Sequence, residues 1–212
     1  MSIKKLLLGL GLAGAALGAH AAVSYTVTSG LFSSNLDPGL VNIDFDTMVP
    51  MAGFAAYDSS AVRIAAGGFP SYAAAPPGDA TAFFSVGISD GQVSSSSVTF
   101  GGYGVSYFGF YMGSPDTYNS VTFHTSGGDE TITGSQMAAA AGVAVDGNQG
   151  VGFYMNFTSA APITKVTFSS TQNAFESDNH AYIAAVPEPE TYAMLLAGLG
   201  LVAAVARRRR AA

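Results

Sequence analysis

An all-β fold, an antiparallel β-sandwich with a jelly-roll-like plan, is what this chain of 212 residues predicts. Three observations carry that reading. Apolar and polar residues alternate with a period of two over short runs. Turn sequences rich in Gly, Pro, Asp and Asn separate those runs at close intervals. Charged residues make up only 10% of the chain, against 26 glycines, so helices have little to build a solvated face from.

Taken in order, strands are expected over residues 24–28, 41–45, 61–65, 81–86 and 97–100. Residues 103–112 are apolar on both faces, as in a central strand covered on each side. Val121-Thr122-Phe123-His124-Thr125 alternates cleanly, and a short strand follows at 130–133. The runs 151–158 and 163–169 each place Val, Ile, Phe or Met on one face, and 181–185 is the last strand. Turns fall at Asp37-Pro38-Gly39, Gly67-Gly68, Pro76-Pro77-Gly78-Asp79, Asp90-Gly91, Gly127-Gly128 and Asp146-Gly147-Asn148. Residues 94–97, all serine, read as a loop. The helical exception is the Ala-rich stretch 135–141, with Ser135 as its cap.

The two ends read as addresses. Lys4 and Lys5, the apolar run 6–17 and Ala19-His20-Ala21 form a secretory signal peptide over residues 1–21. At the other end Pro187, Glu188 and Pro189 precede the apolar run 192–206 and the cluster Arg207, Arg208, Arg209 and Arg210. A single C-terminal transmembrane helix is expected here, with the arginines as its stop on the cytoplasmic side. Its apolar run of fifteen residues spans only about 22 Å against roughly 30 Å of hydrocarbon, so it needs the flanking residues 186–191 and snorkelling arginines. One ectodomain, 22–185, lies between the two addresses, with the tail running from 186 to 212.

Composition narrows the function of that domain. Residues 22–186 hold two bases, Arg63 and Lys165, against twelve acids, a formal charge of −10. Such a surface repels nucleic acid and attracts divalent cations. Cysteine is absent, which excludes disulfides and thiolate zinc. Only His124 and His180 remain after the signal peptide, too few for a three-histidine zinc site.

Three polar clusters stand out. Asn42-Ile43-Asp44-Phe45-Asp46 alternates, with Ile43 and Phe45 on one face and Asp44 and Asp46 on the other. Gly113-Ser114-Pro115-Asp116-Thr117-Tyr118-Asn119 reads as a loop, and Asn173-Ala174-Phe175-Glu176-Ser177-Asp178-Asn179-His180 precedes the last expected strand. First and last strands are neighbours in many jelly rolls, so Asp44, Asp46, Glu176, Asp178 and Asn179 are the candidate ligands of a structural calcium ion. The same residues serve equally well as turn formers. Asp116, Tyr118 and Asn119 form the best local constellation for holding a sugar, although the chain has no Trp to stack on it. Catalysis has little to stand on: Gly104-Val105-Ser106-Tyr107-Phe108 misses the nucleophile-elbow pattern at its last position, and nothing pairs Glu130 with Glu176.

The tail, VPEPETYAMLLAGLGLVAAVARRRR, resembles the PEP-CTERM sorting signal in its triplet, its Gly-bearing apolar stretch and its arginine cluster. That resemblance implies an exosortase as partner, transient residence at the inner membrane of a Gram-negative bacterium, and export to the cell surface or an exopolysaccharide matrix. GSPDTYN together with NAFESDNHA is also similar to a group of PEP-CTERM surface proteins with one sandwich ectodomain, over roughly residues 44–185; no activity comes with that resemblance. The expectation is a non-enzymatic, structural or adhesive matrix protein. A carbohydrate-binding module and a secreted hydrolase are its rivals.

Overall fold

The computed structural model describes residues 22–68, 71–89, 91–186 and 189–210. The expected signal peptide, 1–21, lies outside these, as do Pro187 and Glu188 of the sorting triplet. Eleven strands form one antiparallel sheet: β1 (Val23–Thr28), β2 (Leu40–Ile43), β3 (Ala55–Tyr57), β4 (Arg63–Ile64), β5 (Phe83–Val86), β6 (Ser95–Phe100), β7 (Val105–Gly113), β8 (Asn119–Thr125), β9 (Gly128–Thr133), β10 (Gly152–Ser170) and β11 (Phe175–Ala184). The all-β antiparallel class agrees with the alternation. The strands pair as one sheet curled on itself.

The long strand β10 does the curling. Its first half pairs with β7 on one side and β1 on the other, its second half with β6 and β8. Between the halves stand Ala160, Ala161 and Pro162, which have no ladder partner among the described residues, so the proline breaks no cross-strand hydrogen bond there. The runs 151–158 and 163–169, expected as two strands, are therefore one strand of 19 residues. One wing of the sheet holds β1, β7, β11, β2, β5 and β4; the other holds β3, β6, β8 and β9.

Aromatic rings join the wings. Phe110 and Phe84 pack on Phe168 at centroid distances of 5.2 and 4.8 Å, and Phe123 packs on Phe157 at 4.5 Å. These rings are fully buried, as are Val98, Val121 and Val166, which come from the alternating positions of their strands. A domain without disulfides rests on this burial, about 1.5–3 kcal/mol per large apolar side chain.

The described residues also include two α-helices. The short α1 (Gly134–Ala141) is capped by Thr133, not Ser135: the Thr133 side chain accepts from the Gln136 backbone N–H while the Gln136 side chain reaches back to Thr133. It ends on Gly142 in the left-handed region. The tail forms α2 (Pro189–Arg210). Among the described residues, however, no helix is long and apolar enough to cross a membrane, which corrects the transmembrane expectation. Glu190 and Thr191 occupy its first turn and arginines its last, and Gly198 and Gly200 dilute the short run between.

Candidate functional site

The last strand carries a run of five consecutive buried polar residues, Glu176 to His180. β11 was expected only from 181, yet it begins at Phe175 and takes in the acidic cluster. Its pairing with β7 slips by one residue between Asp178 and Ala181, and Asn179 sits there at φ +49°. This bulge flips the alternation. Phe175 and Ser177 face the core before it, His180 and Tyr182 after it, while Glu176 and Asp178 occupy the opposite face under the segment 73–79.

On the core side, His180 is enclosed by Phe45, Phe84, Phe108, Phe110 and Phe168, with ring centroids 4.8–5.9 Å away. Tyr57 meets its Nδ1 at 2.6 Å and Ser177 Oγ its Nε2 at 2.9 Å. Burial holds the imidazole down at about 3, so it is neutral and uses one nitrogen as donor and the other as acceptor. Ser177 and His180 make the contact that nucleophilic catalysis requires, but both are completely buried and the third partner is a tyrosine. What this arrangement does is tie β3 of one wing to β11 of the other.

Phe45 reaches that box from a left-handed backbone at φ +59°. Such a conformation costs about 1–3 kcal/mol in a non-glycine residue. Arg63 secures it, donating from Nε to the Phe45 carbonyl at 2.7 Å and from its terminal nitrogen to the Asp46 carbonyl at 2.6 Å. Ile43 pairs with His180 across β2 and β11, so the first and third clusters do become neighbours.

On the other face, Glu176 Oε1 accepts from the Ala74 N–H at 3.0 Å, and its Oε2 has no hydrogen-bond partner among the described residues. Glu176 also borders a cavity of about 120 Å³ with Ser71, Gln149 and Asn173. Asp178 Oδ1 accepts from the Asn179 N–H at 2.7 Å, and its Oδ2 is likewise unpartnered among protein donors. Desolvation pushes both carboxyls up to about 8, with repulsion from Asp116 adding at Glu176 and from Asp79 and Asp46 at Asp178. Asp79, from the turn at 76–79, lies within hydrogen-bonding reach of Asp178 and accepts from Asn179 Nδ2 at 3.0 Å. Asp44 and Asp46 stay exposed, Asp44 accepting from the Asp46 N–H at 3.2 Å as a turn former does. Among the described residues no three His, Asp or Glu side chains group to hold a metal, so the five expected calcium ligands do not assemble as a set.

The middle cluster turns inward. Asn119 is buried, donating to the Ala174 carbonyl at 3.2 Å and accepting from Ser170 Oγ at 2.7 Å. The Tyr118 hydroxyl donates to the Asn173 carbonyl at 2.9 Å and lies within reach of Asp116, whose carboxyl burial raises. Tyr118 and Asn119 thus fasten the β7–β8 connection to the start of β11, with Asp116 beside Tyr118, and the Asn119 amide is turned away from solvent. A cavity of about 600 Å³ opens elsewhere, where the chain leaves the domain. Tyr103, Pro162, Ile183 and Val186 border it, and among the described residues Asp37 is its one carboxylate.

Just beyond that exit, residues 185–210 match the family model described as the PEP-CTERM protein-sorting motif. This chain carries a PEP-CTERM sorting signal. The match begins within a residue of where β11 ends, so motif and folded domain abut without a linker. A PEP-CTERM signal marks a chain for exosortase-dependent export and sorting. No curated protein and no solved structure matches the chain.

Proposed function

We propose that this protein is an exported exosortase substrate, held at the inner membrane of a Gram-negative cell until it is cut near Pro187-Glu188-Pro189. The freed domain then serves as a structural or adhesive component of the cell surface or exopolysaccharide matrix. The observation that carries this reading is the sorting motif itself, at 185–210, directly behind a disulfide-free all-β domain. The curled sheet works as a jelly-roll-like sandwich ectodomain, its wings held by an aromatic core instead of crosslinks.

In this reading the domain is not an enzyme. Full burial of Ser177 and His180 weighs against a secreted hydrolase, and the inward hydrogen bonds of Asn119 weigh against sugar binding at Asp116 and Tyr118. The test is fractionation of cells expressing the chain with Pro187→Ala and Pro189→Ala. Wild type should collect in the surface or matrix fraction, and the double variant should stay uncut with the inner membrane. Release of both to the same fraction would defeat the proposal.

A further inference from the structure

Asp79 and Asp178 lie within hydrogen-bonding reach of each other beneath the 76–79 turn, and among the described residues one Asp178 oxygen lacks any donor. Asp178 is completely buried and its Oδ2 is unpartnered. Asp79 cannot easily swing away, because Thr81 donates to its Oδ1 from N–H at 3.0 Å and from Oγ1 at 2.5 Å, and Asn179 Nδ2 donates to its Oδ2. The nearby hydroxyls are already committed: Tyr111 donates to the Pro77 carbonyl at 2.7 Å and Tyr154 to the Asn179 carbonyl at 3.0 Å. Arg63 is occupied by carbonyls, and Lys165 stands in the other wing. Among the described residues no carboxylate is paired with a lysine or arginine; the ion pair present there is His124 with Asp129 at 2.8 Å. Exposed Asp46 adds to the negative field at Asp178.

Two carboxylates in contact do not both stay ionised unless a positive charge lies between them. From this geometry we infer that Asp79 and Asp178 bind a calcium ion that pins the 76–79 turn to β11. Asp79 is half-buried, which leaves a way in from solvent. A site with two carboxylates must complete six to eight oxygens with backbone carbonyls and water. That predicts a weak affinity, about 0.1–1 mM, in the range of extracellular calcium modules. Asp79 was not among the ligands expected from sequence, and Asp44 and Glu176 play no part. The inference is independent of sorting and would survive its failure.

The test is thermal melting of the purified full chain in about 5 mM calcium chloride and in EDTA, several times the expected dissociation constant. Wild type should gain several degrees in calcium. Asp178→Asn and Asp79→Asn should each lose most of that gain, with at least about a tenfold weaker calcium affinity by titration. Asp116→Asn, away from the pair, should keep it. Asp79→Asn decides the matter where the buried substitution fails to fold, since its own site is partly open. No calcium shift in wild type would overturn the inference, leaving a pair that shares a proton. An equal shift in wild type and both Asn variants would overturn it too, as diffuse attraction to an acidic surface, and so would a shift lost in only one of them.

Discussion

The domain and the tail of this chain store information differently. The tail works as a string. Its triplet, apolar run and arginines act in linear order, and 26 residues suffice for a match to a sorting motif. The domain works as a solid, in which Asp79 meets Asn179, Tyr57 meets His180 and Asn119 meets Ala174 across 55 to 123 residues of sequence. A string is read by a partner even when its carrier changes, whereas a solid fails when one packed contact is lost. Substitutions in the domain should therefore cost stability and spare sorting, and substitutions in the tail should do the reverse.

The largest effect is expected at Phe168, which packs on Phe84, Phe108, Phe110 and Phe175. Phe168→Ala should cost about 3–5 kcal/mol in denaturant unfolding. That is a large share of the 5–15 kcal/mol typical of a domain. The full-length precursor should still be cut, and loss of cutting would break the comparison. Gly134→Ala comes next. A β-carbon there would lie 1.9 Å from the Asp116 carbonyl oxygen, so backbone must shift, at a cost of about 2–3 kcal/mol in the same assay.

Tyr57→Phe removes the hydroxyl from His180 Nδ1 and leaves a fully buried ring nitrogen unpaired, worth about 1–3 kcal/mol. The imidazole signals of His180 should move in the NMR spectrum, while those of exposed groups stay. The smallest change in stability belongs to Arg207, Arg208, Arg209 and Arg210. Replacing all four with Ala should move the domain's melting by no more than about 0.5 kcal/mol. It should nevertheless disturb sorting, seen as precursor accumulating on pulse-chase labelling, because positive residues fix the orientation of such tails.

The same contrast explains what the sequence revealed. Where one face of a strand is apolar, as at Val121-Thr122-Phe123, period two shows the strand and its buried side. On β11 the bulge at Asn179 reverses the alternation and the core-facing positions include Ser177 and His180, so the strand was expected only from 181. Ala55–Tyr57 is too short to show any period. The cap at Thr133 was legible in principle, since Thr133 and Gln136 have capping-box spacing. Asp79 was not: it read as a turn residue in Pro76-Pro77-Gly78-Asp79, and nothing local points to a partner 99 positions away. Alternation set Phe45 on the face opposite Asp44 and Asp46, and the structure buries it, but its left-handed backbone depends on Arg63, which no neighbouring residue announces.

Mass spectrometry of the C-terminus of the protein recovered from the cell surface or medium tests the central claim most directly. A product ending near residues 187–189, with α2 and its arginines gone, is the predicted result. An extracellular product that still ends in Arg207–Arg210 and Ala212 would contradict the account.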